Sequence, residues 1–237
     1  MKTDHSFKLV AALILAGVFV ALFSTARAED APPKPKRTHT RHGTYQSSNG
    51  NSGTVNSTVT RGGGESVSNS SLTNQNGQTA THTADRTWDK TTGTGTVSSS
   101  STGFNGNTTT RQGTSEKNAD GSISSQGTVT GSAGKTSTYA DTTVKTATGT
   151  STTGTITGPN GQVSTVNSSF NKTAPGSTTR DTTVTGPNGK STDKEIATKI
   201  NPDGTGTRVI ETTKPDGTTE TRTETFTVAS SGGPSGP

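Results

Sequence analysis

The stretch Thr157-Gly-Pro-Asn-Gly161 decides the fold, and it recurs as Thr185-Gly-Pro-Asn-Gly189. Proline before Asn-Gly presets the first corner of a type I turn, and the glycine is free to take the left-handed position that follows. Thr-rich extended sequence lies on both sides of each copy. The motif therefore predicts β-hairpins that recur along the chain.

Other Asn-Gly and Asp-Gly pairs continue this spacing in both directions. Their glycines are separated by close to multiples of 14 residues, and turns of one kind recur about every 28 residues. An antiparallel meander predicts this alternation because successive turns lie on opposite edges of a sheet. Weaker turn signals at 63, 93, 134, 149 and 176 fill the missing intervals. The predicted structural turns are at Gly50, Gly77, Gly106, Gly121, Gly161, Gly189, Gly204 and Gly217.

The segments between turns alternate with a period of two, as expected for strands. Within 219–228 every odd position is threonine, whereas the even positions are charged or apolar. We therefore predict an all-β fold, an extended antiparallel meander of about 14 short strands on a 14/28-residue repeat. Leu, Ile, Val and Phe form only about a tenth of the chain after residue 28, well below the roughly 20% typical of packed cores. A largely disordered chain and a β-solenoid remain as alternatives.

An open meander would end in two unpaired strands, near 44–46 and 220–228. Unpaired strand edges recruit further strands unless charge, proline or bulges block them. The sequence thus predicts self-association through these edge strands.

The first 28 residues have the three-part layout of a secretory signal peptide. Basic residues precede an apolar run over 9–23, and Ala26 and Ala28 form an A-x-A cleavage site. We expect cleavage before Glu29 and a secreted, periplasmic or cell-surface location. After signal removal no apolar stretch is long enough for a transmembrane helix.

Residues 29–43 form a Pro-rich basic segment that we predict to be an extended linker. Its basic residues Lys34, Lys36, Arg37 and Arg41 are a candidate contact for an anionic surface or glycan, and a plain solvated linker is the alternative. From residue 42 onward 15 basic and 14 acidic residues nearly cancel. This balance, with few aromatic residues, argues against nucleic-acid binding. The repeat region is predicted over 44–228, followed by a flexible Gly/Ser/Pro tail at 229–237.

The sequence predicts no catalytic, cofactor-binding or metal-binding residues. Segments 131–136 and 186–191 resemble phosphate-binding loops, but valine occupies the first glycine position of the motif in both. His82 with Asp85 and Asp89 is a conceivable polar cluster, but the sequence favours an outward-facing histidine on a polar strand. The chain has no cysteine, so it has neither disulfides nor cysteine metal ligands.

The T-G-P-N-G-[KQ] turns on a 28-residue period behind a secretory leader resemble uncharacterised Thr/Gly-rich repeat proteins exported by bacteria, over residues 44–228. The chain is also loosely similar to curlin-type fibre subunits. The resemblance to the exported repeat proteins implies no known activity. The repeat itself presents hydroxyls over a long surface and favours a non-enzymatic structural or adhesive protein, such as a spacer, surface layer or matrix component. A carbohydrate- or ice-binding module and a disordered surface protein are the alternatives.

Overall fold

The computed structural model describes residues 35–231, which form a single sheet of fourteen β-strands without a helix. This confirms the prediction of an all-β antiparallel meander of about 14 strands. The strands are β1 (Arg37–Ser47), β2 (Ser52–Gly62), β3 (Glu65–Asn74), β4 (Thr79–Asp89), β5 (Thr94–Thr102), β6 (Thr108–Lys117), β7 (Ile123–Thr130), β8 (Thr136–Lys145), β9 (Gly149–Thr157), β10 (Val163–Ala174), β11 (Ser177–Thr185), β12 (Ser191–Ile200), β13 (Thr205–Thr213) and β14 (Thr219–Ser231).

The sheet closes on itself, because β1 pairs with β14 as well as with β2. The closing register runs antiparallel from Thr38 opposite Ser231 to Ser47 opposite Arg222. The expectation of two unpaired edge strands is therefore wrong. Closure pairs the backbone N–H and C=O groups that an open meander would leave exposed at each edge. Self-association by strand addition loses its structural basis within the described residues.

The predicted linker ends earlier than its composition indicated. Residues 37–43 belong to β1, where Thr38 and Thr40 alternate with basic residues as the strand pattern requires. Pairing with both β2 and β14 holds this segment extended. At the other end, β14 continues to Ser231, so 229–231 are strand rather than tail. The leader with Ala26 and Ala28, residue Lys34 and the tail from 232 onward lie outside the described residues.

The eight predicted turn glycines share one hairpin geometry. Their φ angles lie between 76° and 84°. In each case the glycine N–H donates to the carbonyl three residues earlier, as from Gly161 to Gly158 at 2.9 Å. The residue before the glycine adds a side-chain acceptor: Asp216 Oδ1 accepts from the backbone N of Thr218 at 2.9 Å. This is the type I turn followed by a left-handed glycine that hairpins favour.

The turns divide into two rims at opposite ends of the barrel. The regular rim consists of the seven turns at 48–50, 75–77, 104–106, 132–134, 159–161, 187–189 and 215–217. The terminal rim consists of the other six turns, together with the start of β1 and the end of β14. Of the weaker turn signals, Gly149 differs: it begins β9 without a positive φ, and the turn precedes it.

Alternation along each strand sorts side chains onto an inner and an outer face. Every buried apolar side chain faces inward, and five of them form a core cluster: Val129, Tyr139, Ile156, Val166 and Val184. All five lie within three residues of a strand end at the regular rim. The apolar core therefore fills the barrel interior near that rim.

Inward glycines make room for the aromatic rings on neighbouring strands. A Cβ added at Gly127 would lie 2.0 Å from Gln112 O and 2.8 Å from the ring of Tyr139. The same relation joins Gly206 to the ring of Phe226. A ring lying flat over a glycine covers backbone that has no side chain of its own, which stabilises a sheet with few large residues.

Candidate functional site

Charge is segregated between the two faces of the barrel. Twelve basic residues of the described chain occupy inward positions, against three acidic residues. The outer face and turns carry the remaining six basic and eleven acidic residues. The inward basic residues are Arg37, Arg41, Arg61, Arg86, Arg111, Lys117, Lys145, Lys172, Arg180, Lys194, Arg208 and Arg222, and the inward acidic residues are Asp141, Glu220 and Glu224.

Most of this positive charge lies toward the terminal rim. Nine of the twelve inward basic residues are within four residues of a strand end on that side. Three of them occupy the strand position nearest the terminal rim and are exposed, namely Arg37, Lys117 and Lys145. The barrel thus has an apolar interior near the regular rim and a basic opening at the terminal rim.

Glu224 is the centre of a buried ion-pair network beside the closing strands. Its side chain is only 1% exposed. Arg41 Nη2 lies 3.4 Å from Glu224 Oε2, and Arg222 Nη2 lies 3.0 Å from Oε1. Arg208 Nη1 approaches Oε2 at 3.7 Å. The network draws on the two closing strands, β1 and β14, and on β13, the neighbour of β14.

Aromatic rings of the same strands position two of these arginines. The Arg41 guanidinium lies 4.9 Å from the ring centroid of Phe226, and that of Arg222 lies 5.8 Å from the ring of Tyr45. Such cation–π contacts hold the planar guanidinium groups in fixed orientations. Burial also lowers the pKa of Arg41, an effect that Glu224 opposes.

Lys194, on β12, interacts electrostatically with the same charged groups. Burial lowers the pKa of Lys194 from 10.5 to about 8, and repulsion from Arg222 and Arg208 adds to this effect. Glu224 acts in the opposite direction. The region therefore gathers several cations around one carboxylate.

A second polar group lies on β6 and β8. The Arg111 guanidinium stacks 4.0 Å from the centroid of the Tyr139 ring, and its Nη2 lies 3.7 Å from Asp141 Oδ2. Burial raises the pKa of Asp141, although Arg111 opposes this shift. Arg111 Nε, Tyr139 Oη and Ser137 Oγ are buried without a hydrogen-bond partner. This group is smaller than the Glu224 network and has one cation for one carboxylate.

The outer face is coated with hydroxyl groups. Threonines on adjacent strands face each other there, and seven such pairs are hydrogen-bonded: Thr38–Thr60, Thr44–Thr225, Thr73–Thr79, Thr87–Thr96, Thr102–Thr108, Thr130–Thr136 and Thr213–Thr219. Cross-strand pairs of this kind each contribute about 0.2–1 kcal/mol to the sheet.

A groove of about 1130 Å³ crosses the outer face from β4 to β10. Outward hydroxyl and amide side chains such as Thr114, Gln126, Thr155 and Asn167 line it. The carboxylates of Glu65, Asp89 and Glu116 also line the groove, among other residues. The groove therefore offers many hydrogen-bond donors and acceptors beside the apolar parts of its lining.

Only some basic residues of the segment 29–43 are placed for the predicted contact with an anionic surface or glycan. Lys36 forms an ion pair with Glu65 at 2.7 Å, and Arg37 lies at the terminal rim. Arg41 faces the interior, where it contacts Glu224, so it does not contribute to an outer basic surface. The alternation of β1, rather than the local density of charge, decides where each basic residue points.

The structure does not bring His82, Asp85 and Asp89 together into a cluster. His82 faces inward with its Nδ1 2.7 Å from Ser101 Oγ, whereas Asp85 and Asp89 face outward. The prediction that His82 faces outward is therefore wrong. The loop-like segments 131–136 and 186–191 form turns between strands, without a helix that could hold a phosphate.

Metal sites and membrane helices are absent from the described part of the chain. Residues 35–231 contain no group of three His, Asp or Glu side chains that could hold a metal ion. Within the same range, no helix has the length and apolarity needed to cross a bilayer.

Comparison with known proteins leaves the chain without an assigned family. No family model matches it, and a search of curated proteins gives no significant similarity.

Proposed function

We propose that the protein is an exported, non-enzymatic structural or adhesive protein of the cell surface or extracellular matrix, and that its outer face is the binding surface. The observation that carries this proposal is the hydroxyl coating of that face, with the groove across β4–β10. Hydroxyl and amide groups both donate and accept hydrogen bonds, so they match the hydroxyls of a hydrated polysaccharide.

The carbohydrate-binding form of this function is favoured by the groove. Its volume exceeds that of a small-molecule pocket, and its open shape, with hydroxyl and amide groups beside apolar surface, suits an extended sugar chain. The ice-binding form is less well supported, because a closed and twisted sheet does not present a flat threonine array.

Export rests on the leader, whose cleavage site is Ala26-Arg-Ala28. N-terminal sequencing of the exported protein should begin at Glu29. A protein that keeps Met1 and sediments with membranes would contradict both the signal peptide and the proposed location.

Adhesion can be tested by retention of the exported protein on insoluble polysaccharides such as cellulose and chitin. The double variant Thr114→Arg/Thr155→Arg places long side chains in the groove and should lose retention on the polysaccharide that binds the wild type. Thr207→Arg/Thr223→Arg is the matched control, because both positions are exposed outward threonines on β13 and β14 and add the same charge. Equal losses in both variants, or no retention of the wild type, would overturn the proposal.

A further inference from the structure

The inner face beside the closing strands holds more positive charge than its carboxylates neutralise. Arg41, Arg208 and Arg222 converge within 3.0–3.7 Å of the single carboxylate of Glu224. Lys194 adds a fourth cation to the same field. Because burial removes water from these groups, excess charge of one sign is costly unless a counter-ion compensates it.

The hydrogen-bonding groups of this cluster are also incompletely used. Arg41 Nε and Arg222 Nε are buried donors without a partner, and Glu224 Oε2 accepts no hydrogen bond. A buried polar atom without a partner destabilises the folded state. Two free guanidinium Nε donors within one network are hydrogen-bond donors of the kind that an oxyanion accepts.

The charge of the inner face and the partial exposure of the cluster both favour the approach of an anion. The terminal rim is lined by inward basic residues, and side chains of the cluster itself are partly exposed, with Arg208 at 25% and Arg222 at 32%. A cleft lined by one sign of charge concentrates ions of the opposite sign. The acidic outer face does the reverse, so the barrel interior is the attractive region for an anion.

We propose that the cluster of Arg41, Lys194, Arg208, Arg222 and Glu224 is a binding site for a tetrahedral oxyanion, namely phosphate or the phosphate monoester of a sugar. Several cations suit a dianion better than a halide, and the fixed guanidinium planes select an oxyanion over a spherical ion. Glu224 holds the arginines in place and limits the excess charge. The site is independent of the outer groove.

The test is calorimetric titration of the exported protein with sodium phosphate at pH 7, with ionic strength held constant by sodium chloride. The structure predicts saturable binding that chloride does not reproduce. Lys194→Met removes one cation and leaves the three arginine–Glu224 ion pairs in place, and it should weaken binding about tenfold. Lys199→Met is the matched control on the same strand: Lys199 is exposed and faces outward, so phosphate affinity should stay at the wild-type value.

Glu224→Gln tests the site in the opposite direction. Loss of the carboxylate charge should strengthen phosphate binding several-fold, whereas a purely structural network would only lose stability, equally in phosphate and chloride. Thermal unfolding in the two salts separates these outcomes even where the variant is less stable. The proposal is overturned if phosphate and chloride act alike on the wild type, or if Lys194→Met binds phosphate as tightly as Lys199→Met.

Glucose 6-phosphate and glucose distinguish the source of the anion. Binding of glucose 6-phosphate with an affinity near that of phosphate, and no binding of glucose, would assign the site to sugar phosphates as well as to the free ion. Binding of inorganic phosphate alone would restrict the site to the free ion and still support an oxyanion site.

Discussion

Replacing Lys194 by methionine should remove a pH dependence of stability that the wild-type barrel shows. In the folded state the buried lysine carries its charge in the field of Arg180, Arg208 and Arg222, which Glu224 opposes. Its cross-strand neighbours, Thr182 and Thr212, are uncharged. Methionine keeps the apolar stem and removes the ammonium group, so packing changes little.

The magnitude follows from the pKa of Lys194, which is lowered from 10.5 to about 8. Because the folded pKa is below the unfolded one, the folded state releases its proton first as pH rises. Stability therefore increases with pH between about 8 and 10.5, and below pH 8 the full penalty is present. The total corresponds to about 3 kcal/mol, of which about 2 kcal/mol falls between pH 7 and 9.5.

Urea unfolding, followed by far-ultraviolet circular dichroism at pH 7, 8, 9 and 9.5, measures this effect. Buffers without oxyanions are required, since phosphate bound beside Lys194 would stabilise its charge. The wild type and the control Lys199→Met should gain about 2 kcal/mol over this range, and Lys194→Met should gain much less. If the wild type and Lys194→Met show the same slope, Lys194 is not buried among cations and the charge argument fails.

Two further predictions concern closure and the glycines. Cysteines at Thr44 and Thr225, whose Oγ1 atoms are 3.2 Å apart across the closing strands, should form an intramolecular disulfide on oxidation, detected by mobility on non-reducing gels. Cysteines at Thr54 and Thr225 are one strand further apart and should not form a disulfide. Failure of the first pair would mean an open sheet. Gly161→Ala should cost about 1–2 kcal/mol through backbone strain alone, because its φ is +78° and its surroundings are empty. Gly127→Ala should lower the stability measured by thermal unfolding more than Gly161→Ala does, since its Cβ would overlap Gln112 O at 2.0 Å. The reverse order would show that strain in backbone conformation outweighs steric crowding.

Local features of the fold were predictable because they are written in short stretches of sequence. The turn chemistry of Gly158-Pro-Asn-Gly161 fixes a hairpin within a few residues, and the 28-residue period places such hairpins at one end. Closure was not predictable in this way. It depends on pairing between Thr44 and Thr225, which are 181 residues apart, and no local pattern encodes that contact.

The candidate site was missed for a different reason. Charges counted along the chain nearly cancel, whereas counted by face they separate into a basic interior and an acidic exterior. The signal was present in the alternation of 219–228, which puts Arg222 and Glu224 on the same face as Phe226. Extending that alternation to the charged residues of every strand would have revealed the inward cations, although not their convergence on Glu224.

The antiparallel pairing of the first and last strands limits how this chain could change in length. A duplicated 28-residue hairpin adds two strands, so the first and last strands would still run antiparallel and the barrel could close again, about one-seventh wider. A duplicated 14-residue unit would add one strand. The first and last strands would then run parallel to each other, and the C-terminus would lie at the opposite end of the barrel. Gene duplication can therefore enlarge the interior in steps of one hairpin, which makes the two-strand unit, rather than the single strand, the unit of evolutionary growth.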